Sequence, residues 1–158
     1  MTASAAGGPD AAKEPLSGPF AAIGRNTVWL GAAGQGSRLK LVVNAYMSTL
    51  IEGVAEAVEL ARRLGIDVAA LDAAIEGGPL DAPIAGAKLH KIATSDYAPE
   101  FPLEWALKDV DLALDAGGGT GLPLLAALSR QWHAVVDAGH GHEDVSAARL
   151  GLNENRTG

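Results

Sequence analysis

Three stretches of this chain carry residue types at spacings that could do chemistry. Lys40 and Asn44 stand four residues apart, so on a helix they share one face. A lysine near the start of a helix feels the positive end of the dipole, and desolvation moves its pKa downward. Such a lysine can give and take a proton near neutrality. The plainer reading, a snorkelling lysine beside a packed asparagine, is what the pattern alone favours. Lys108-Asp109 is the second stretch, and spacing alone makes it a surface ion-pair element. The third, His140-Gly-His142-Glu143-Asp144, offers two imidazoles and carboxylates to a metal, but a glycine turn is a poorly preorganised site and no metal is expected. The glycines of Gly31-x-x-Gly34-x-Gly36 lie between a strand-like run and a helix. They depart from the dinucleotide spacing and lack the second strand with its acidic end, so a tight turn admitting a buried helix is the simpler reading. The glycines of 117–121 follow a helix C-terminus, where the dipole repels anions, and read as a helix stop.

The element that must position Lys40 and Asn44 is one long helix, with Ser37 as its expected N-cap and Gly65 as its left-handed stop. Leu39, Val42, Val43, Met47, Leu50, Ile51, Val54, Val58 and Leu64 recur at helical spacing, and Leu41 and Ala45 carry apolar character round the other side. Both faces of the first half therefore call for partners. In the second half Glu52, Glu56, Glu59, Arg62 and Arg63 are expected outward, with Glu59 placed to pair with Arg62 or Arg63. Such a helix is about 40 Å long, against a radius of gyration of about 15 Å for a compact chain of this size. It should meet something beyond its own short domain.

Shorter elements surround it. Asp10 is expected to cap a helix through Ala22, and residues 26–30 read as a short strand. Asp67 or a neighbour is expected to cap a helix from Val68 to Glu76, and Asp81 begins one through about Ala93 with Pro83 in its first turn. Thr94 to Pro102 is a loop, Leu103 to Ala116 a strong helix, and Pro123 opens another to Ala138. A turn at 139–142 and a short helix from Glu143 to Leu150 follow, with a loose tail from Gly151. Trp29, Trp105 and Trp132 are assigned to core or interface. The fold expected is mainly α, an all-helical bundle entered by one long helix, with a small strand-bearing piece at the N-terminus.

Composition narrows the class of function. At 158 residues and 48% hydrophobic the chain can bury a real core, and with 4% aromatics that core is built from Ala, Leu, Val and Ile. A net charge of −7, with no basic run longer than Arg62-Arg63, argues against nucleic acid or an anionic membrane as partner. The absence of cysteine excludes disulfides and thiolate chemistry. No stretch reads as an uninterrupted apolar membrane span or as a signal peptide, so a cytoplasmic location is expected by default.

The run Gly34-Gln-Gly-Ser-Arg-Leu-Lys40-Leu-Val-Val-Asn44 resembles the catalytic segment of the β-hydroxyacid dehydrogenases, the 3-hydroxyisobutyrate and 6-phosphogluconate dehydrogenase-like family. That segment reads glycine-x-glycine-x-x-x-lysine-x-x-x-asparagine. Phe101 followed by Lys108-Asp109 matches a second family motif, and Gly139-His-Gly-His-Glu-Asp144-Val-Ser146 is similar to the family's C-terminal turn. The likeness covers about residues 4 to 150. It implies residues 1–31 as the tail end of an NAD(P)-binding Rossmann domain (strand, helix, strand), 32–150 as the all-helical catalytic and dimerisation domain, and 151–158 as a flexible tail. It further implies Lys40 as proton donor and acceptor at the substrate hydroxyl or carbonyl, Asn44 as substrate-binding amide and Lys108 as a cofactor contact. NAD or NADP would be the cofactor, held mostly by a Rossmann half whose fingerprint this sequence lacks. A small hydroxyacid or related carbonyl compound would be the substrate and a second copy of the chain the partner. The chain would then be the C-terminal part of an NAD(P)-dependent oxidoreductase acting on CH-OH groups, inactive alone. A non-catalytic dimerisation module of the same descent is the alternative.

Overall fold

The computed structural model of the chain describes residues 4–23 and 26–152. These fall into two compact units, residues 1–43 and residues 44–158.

The first unit holds a parallel pair of short strands, β1 (Ser4–Ala6) and β2 (Thr27–Trp29), in register Ala5 to Val28. Parallel strands need a crossover connection. Here a 3₁₀ turn (Asp10–Ala12) and α1 (Lys13–Ile23) supply it. Asp10 lies inside the first turn instead of capping it: the cap position is Pro9, whose extended backbone enters the helix without a side-chain hydrogen bond. The long helix α2 spans Gln35–Arg63, so Ser37 is already helical and is not the N-cap. The first turn of α2 meets β1 closely. A Cβ on Gly36 would stand 2.8 Å from the Ala5 carbonyl oxygen, a separation only glycine allows.

The C-terminal end of α2 follows its sequence closely. Gly65 has φ +69°, its N–H donates to the Arg62 carbonyl and the Ile66 N–H to that of Ala61, the paired bonds of a Schellman stop. Arg63 pairs with Glu59 at 2.9 Å.

In the second unit α3 (Val68–Ile75) starts at Asp67, whose carboxylate accepts the Ala69 N–H at 2.9 Å. Helix α4 (Pro83–Thr94) has Ala82 at its cap, and Asp81 turns back to accept the Gly77 N–H instead. Helix α5 occupies Leu103–Ala116 and α6 Pro123–Val135, the latter running through a wide turn at Val136–His140 into a closing 3₁₀ helix, Val145–Leu152. Gly151 and Leu152 complete that helix, and the rest of the tail lies outside the described residues.

Helical periodicity builds the core. Leu103, Ala106, Leu107 and Val110 of α5 face Leu125, Leu128, Trp132 and Val135 of α6, with Ile51 of α2 and Val145 and Ala148 closing the cluster. A second cluster joins Ala55 and Val58 to Leu89 and Ile92 of α4.

A further expectation about α2 fails. Glu52 does not face outward: it is buried, because Trp132 brings an indole N–H to its Oε2 at 2.6 Å. In the first half, whose two faces call for partners, Val42 (64%) and Tyr46 (66%) are exposed together with Val43. By length and composition alone α2 could cross a bilayer, although no such span is expected from the sequence; its most apolar window is 33% buried within the protein.

Candidate active site

Helix α5 carries the second motif, and its first turn has no side-chain cap. The first N–H groups of a helix lack partners within it. The turn before the closing helix supplies them: Leu103 N–H donates to the Glu143 carbonyl at 2.9 Å and Glu104 N–H to that of Gly141 at 3.0 Å. The Glu104 carboxylate also meets His142 Nδ1 at 2.9 Å.

Asp144 ties the same turn to the loop before α5. Its Oδ2 accepts Lys88 Nζ at 2.9 Å and the N–H groups of Glu100 and Phe101 at 3.2 Å. Its Oδ1 accepts the Ser146 N–H at 3.1 Å and hydroxyl at 2.8 Å. Burial works against the charged carboxylate. The bonds from Lys88, Ser146 and the Phe101 backbone outweigh it and hold the group below the usual aspartate range. Lys88 is itself 3% exposed and reaches Glu100 at 3.0 Å, while Lys91 faces Asp96 and Glu100 at longer range.

So anchored, α5 presents Asp109 to α2. The Asn44 amide donates through Nδ2 to Asp109 Oδ2 at 2.6 Å, joining residues 65 apart in sequence. So short a contact with a carboxylate requires the NH₂ side of the amide to face it. The second N–H and the Oδ1 of Asn44 have no hydrogen-bond partner among the described residues. Asp109 is buried, whereas Lys108 is 65% exposed along its side chain and reaches Asp109 Oδ1 at only 3.5 Å. Its ammonium thus keeps its freedom to meet an outside anion. Lys40 lies four residues before Asn44 on the unbroken α2, and is exposed, with no ion-pair partner among the described residues.

The histidine turn does not converge on a point. His140 faces Glu143 at 3.2 Å, His142 faces Glu104, and Asp144 is spent on Lys88. Among the described residues no three His, Asp or Glu side chains are grouped to hold a metal. Sequence reasoning named Asp109 only as the neighbour of Lys108 and missed Asp144 and Lys88 as a network. An aspartate two residues before a serine is the signature of a side chain bonding its own backbone, and it was the available signal at Asp144. Of the tryptophans, Trp132 is fully buried, Trp105 is exposed, and Trp29 is half-buried with an indole N–H that has no partner among the described residues.

Comparison with known proteins places this geometry. A family model described as the NAD-binding domain of NADP-dependent 3-hydroxyisobutyrate dehydrogenase matches residues 34–150. Among curated relatives, glyoxylate/succinic semialdehyde reductase 2 of Arabidopsis thaliana is 32% identical over 132 residues, 82% of this chain and 37% of the relative. The cytokine-like nuclear factor N-PAC of Aedes aegypti is 28% identical over 130 residues, 81% of this chain and 23% of that protein. The chain thus spans less than half the length of these relatives. In fold it is similar to 3-hydroxyisobutyrate dehydrogenase from Salmonella typhimurium, with a TM-score of 0.84 at 24% identity over 91% of this chain and 52% of that one. With one helix bearing Lys40 and Asn44, a second bearing Lys108 and Asp109, and the family model covering both, the chain belongs to the 3-hydroxyisobutyrate dehydrogenase family of NAD(P)-dependent hydroxyacid dehydrogenases.

Proposed function

We propose that this chain supplies the proton-transfer lysine and the substrate amide of an NAD(P)-dependent 3-hydroxyacid dehydrogenase or of the corresponding carbonyl reductase. The observation that carries this reading is the Asn44–Asp109 hydrogen bond, which brings together two motifs far apart in the chain. Asp109 holds the Asn44 amide in one orientation, and an oriented amide fixes a substrate oxygen without adding charge. Lys40, one turn earlier on α2, protonates the carbonyl oxygen during reduction and takes the hydroxyl proton during oxidation. The exposed ammonium of Lys108 fits the negative charge of a nicotinamide cofactor, and when bound that cofactor supplies or accepts the hydride. The remaining cofactor contacts belong to a dinucleotide-binding Rossmann half.

The test is turnover of short 3-hydroxyacids by this chain together with such a half, followed by nicotinamide absorbance. Lys40→Met should lower turnover by about 10²- to 10⁴-fold, the usual worth of a positioned acid-base group. Undiminished turnover would refute the role of Lys40.

One observation favours a second reading, a non-catalytic dimerisation module: Val42, Val43 and Tyr46 expose an apolar stretch on α2. The kinship with a nuclear factor is compatible with it. In either reading the helical domain pairs with a second copy. A strictly monomeric chain in micromolar sedimentation runs would count against that pairing.

A further inference from the structure

Lys88 lies on α4, away from the lysines the family motifs single out, yet it is nearly as buried as a core leucine. Its ammonium rests between Asp144, which is fully buried, and Glu100, whose side chain is mostly exposed. Solvent screens the Glu100 contact, so Asp144 is the partner that matters. One Asp144 oxygen is shared by Lys88 and by the N–H groups of Glu100 and Phe101, the two peptides just ahead of α5. Five donors converge on this carboxylate in all, an arrangement suited to the ionised form. Lys88 supplies the compensating charge.

The consequence is carried along α5. The Phe101 carbonyl accepts the Val145 N–H at 2.8 Å and the Leu103 N–H donates to Glu143, so the entry to the helix is pinned on both sides of Pro102. From Leu103 to Asp109 the chain is continuous α-helix, a stiff lever of about 9 Å. At its end is the 2.6 Å bond to Asn44. A slide of about 1 Å at the entry takes that bond to the limit of hydrogen-bonding range.

We propose that Lys88 is a positioning residue for the Asn44–Asp109 pair, acting through Asp144 and the first turn of α5. Its bearing on turnover rests on the function proposed above, whereas the coupling itself can be read without any turnover.

The experiment is nuclear magnetic resonance of the full ¹⁵N-labelled chain, comparing the native protein with Lys88→Met and Lys88→Arg. In the native chain the Asn44 side-chain amide should show one proton shifted downfield and protected from exchange. In Lys88→Met that proton should return to an ordinary position and exchange at least about tenfold faster, as expected for loss of a charge-assisted hydrogen bond. The Trp132 indole signal, held by Glu52, should stay in place. Lys88→Arg, which keeps the cation, should restore the Asn44 signal. Displacement of the Glu100 and Phe101 amides with an unmoved Asn44 side chain would overturn the proposal. Should Lys88→Met fail to fold, Ser146→Ala decides: it removes one 2.8 Å donor from Asp144 and leaves the ion pair. A smaller Asn44 shift in the same direction supports the coupling, and none refutes it. If the Asn44 signal moves while Lys88→Met leaves kcat and KM of the reconstituted enzyme untouched, the coupling stands and the catalytic reading fails.

Discussion

Replacing Glu52 by glutamine tests whether a buried charge in the core is tolerated or useful. Glu52 is 5% exposed; its Oε2 takes the Trp132 N–H at 2.6 Å and its Oε1 has no hydrogen-bond partner among the described residues. Burial raises its pKa above the ordinary 4.5, against the opposing hydrogen bond from Trp132 and the polar Gln131 amide, and the nearby Glu56 adds to the rise. Between the ordinary and the raised value the folded state holds more protons than the unfolded state, so this group makes stability fall as pH climbs through that window. An isosteric amide removes the slope. At pH 8 it relieves an unsatisfied charged acceptor, worth about 1–3 kcal/mol, and weakens the tryptophan bond by about 1 kcal/mol. The net expectation is a gain of about 1 kcal/mol at pH 8, or about 2–4 °C in Tm for a chain of this size. The gain should shrink toward zero near pH 4.5, where the native glutamate is itself protonated. Thermal unfolding followed by circular dichroism at both pH values measures this. Destabilisation by Glu52→Gln at pH 8 that fades toward pH 4.5 would show the ionised carboxylate to be the stabilising species, and the reasoning would fail.

Asp144→Asn should behave in the opposite sense. The folded pKa of Asp144 is depressed, so its contribution is complete above the unfolded value and is lost as pH falls through the folded one. The variant strands the Lys88 ammonium and should lose about 3 kcal/mol near pH 7 in urea titrations, with the deficit narrowing below about pH 4. A deficit independent of pH would point to packing instead. Gly36→Ala should destabilise the start of α2, because its new Cβ would stand 2.8 Å from a strand carbonyl. A strain of about 1–3 kcal/mol exceeds the helix-propensity gain of about 1 kcal/mol, and an unchanged Tm would contradict that.

Local chemistry made much of this fold legible. The Asp67 cap, the Gly65 stop and the span of α5 from Leu103 to Ala116 each depend on residues within a turn or two of the feature. What escaped depends on distant partners. Glu52 looks like a surface residue until Trp132, 80 positions later, brings it a donor. Asp144 looks like part of a histidine turn until Lys88 and the peptides before α5 converge on it. Periodicity reported that the first half of α2 wants covering but not that Val42, Val43 and Tyr46 lie bare. The candidate site divides in the same way: Lys40 and Asn44 follow from helix spacing, whereas the Asp109 bond that orients Asn44 required the fold.

Because peptide carbonyls of Gly141 and Glu143 close the first turn of α5, the restriction there falls on chain length and not on side-chain identity. Substitutions other than proline at positions 103 and 104 leave those bonds available as long as the apolar seat of Leu103 is kept. A single residue inserted between Gly141 and Asp144 would shift both carbonyls out of step with the helix. Tolerance to replacement beside intolerance to insertion is therefore the mutational signature this backbone cap imposes.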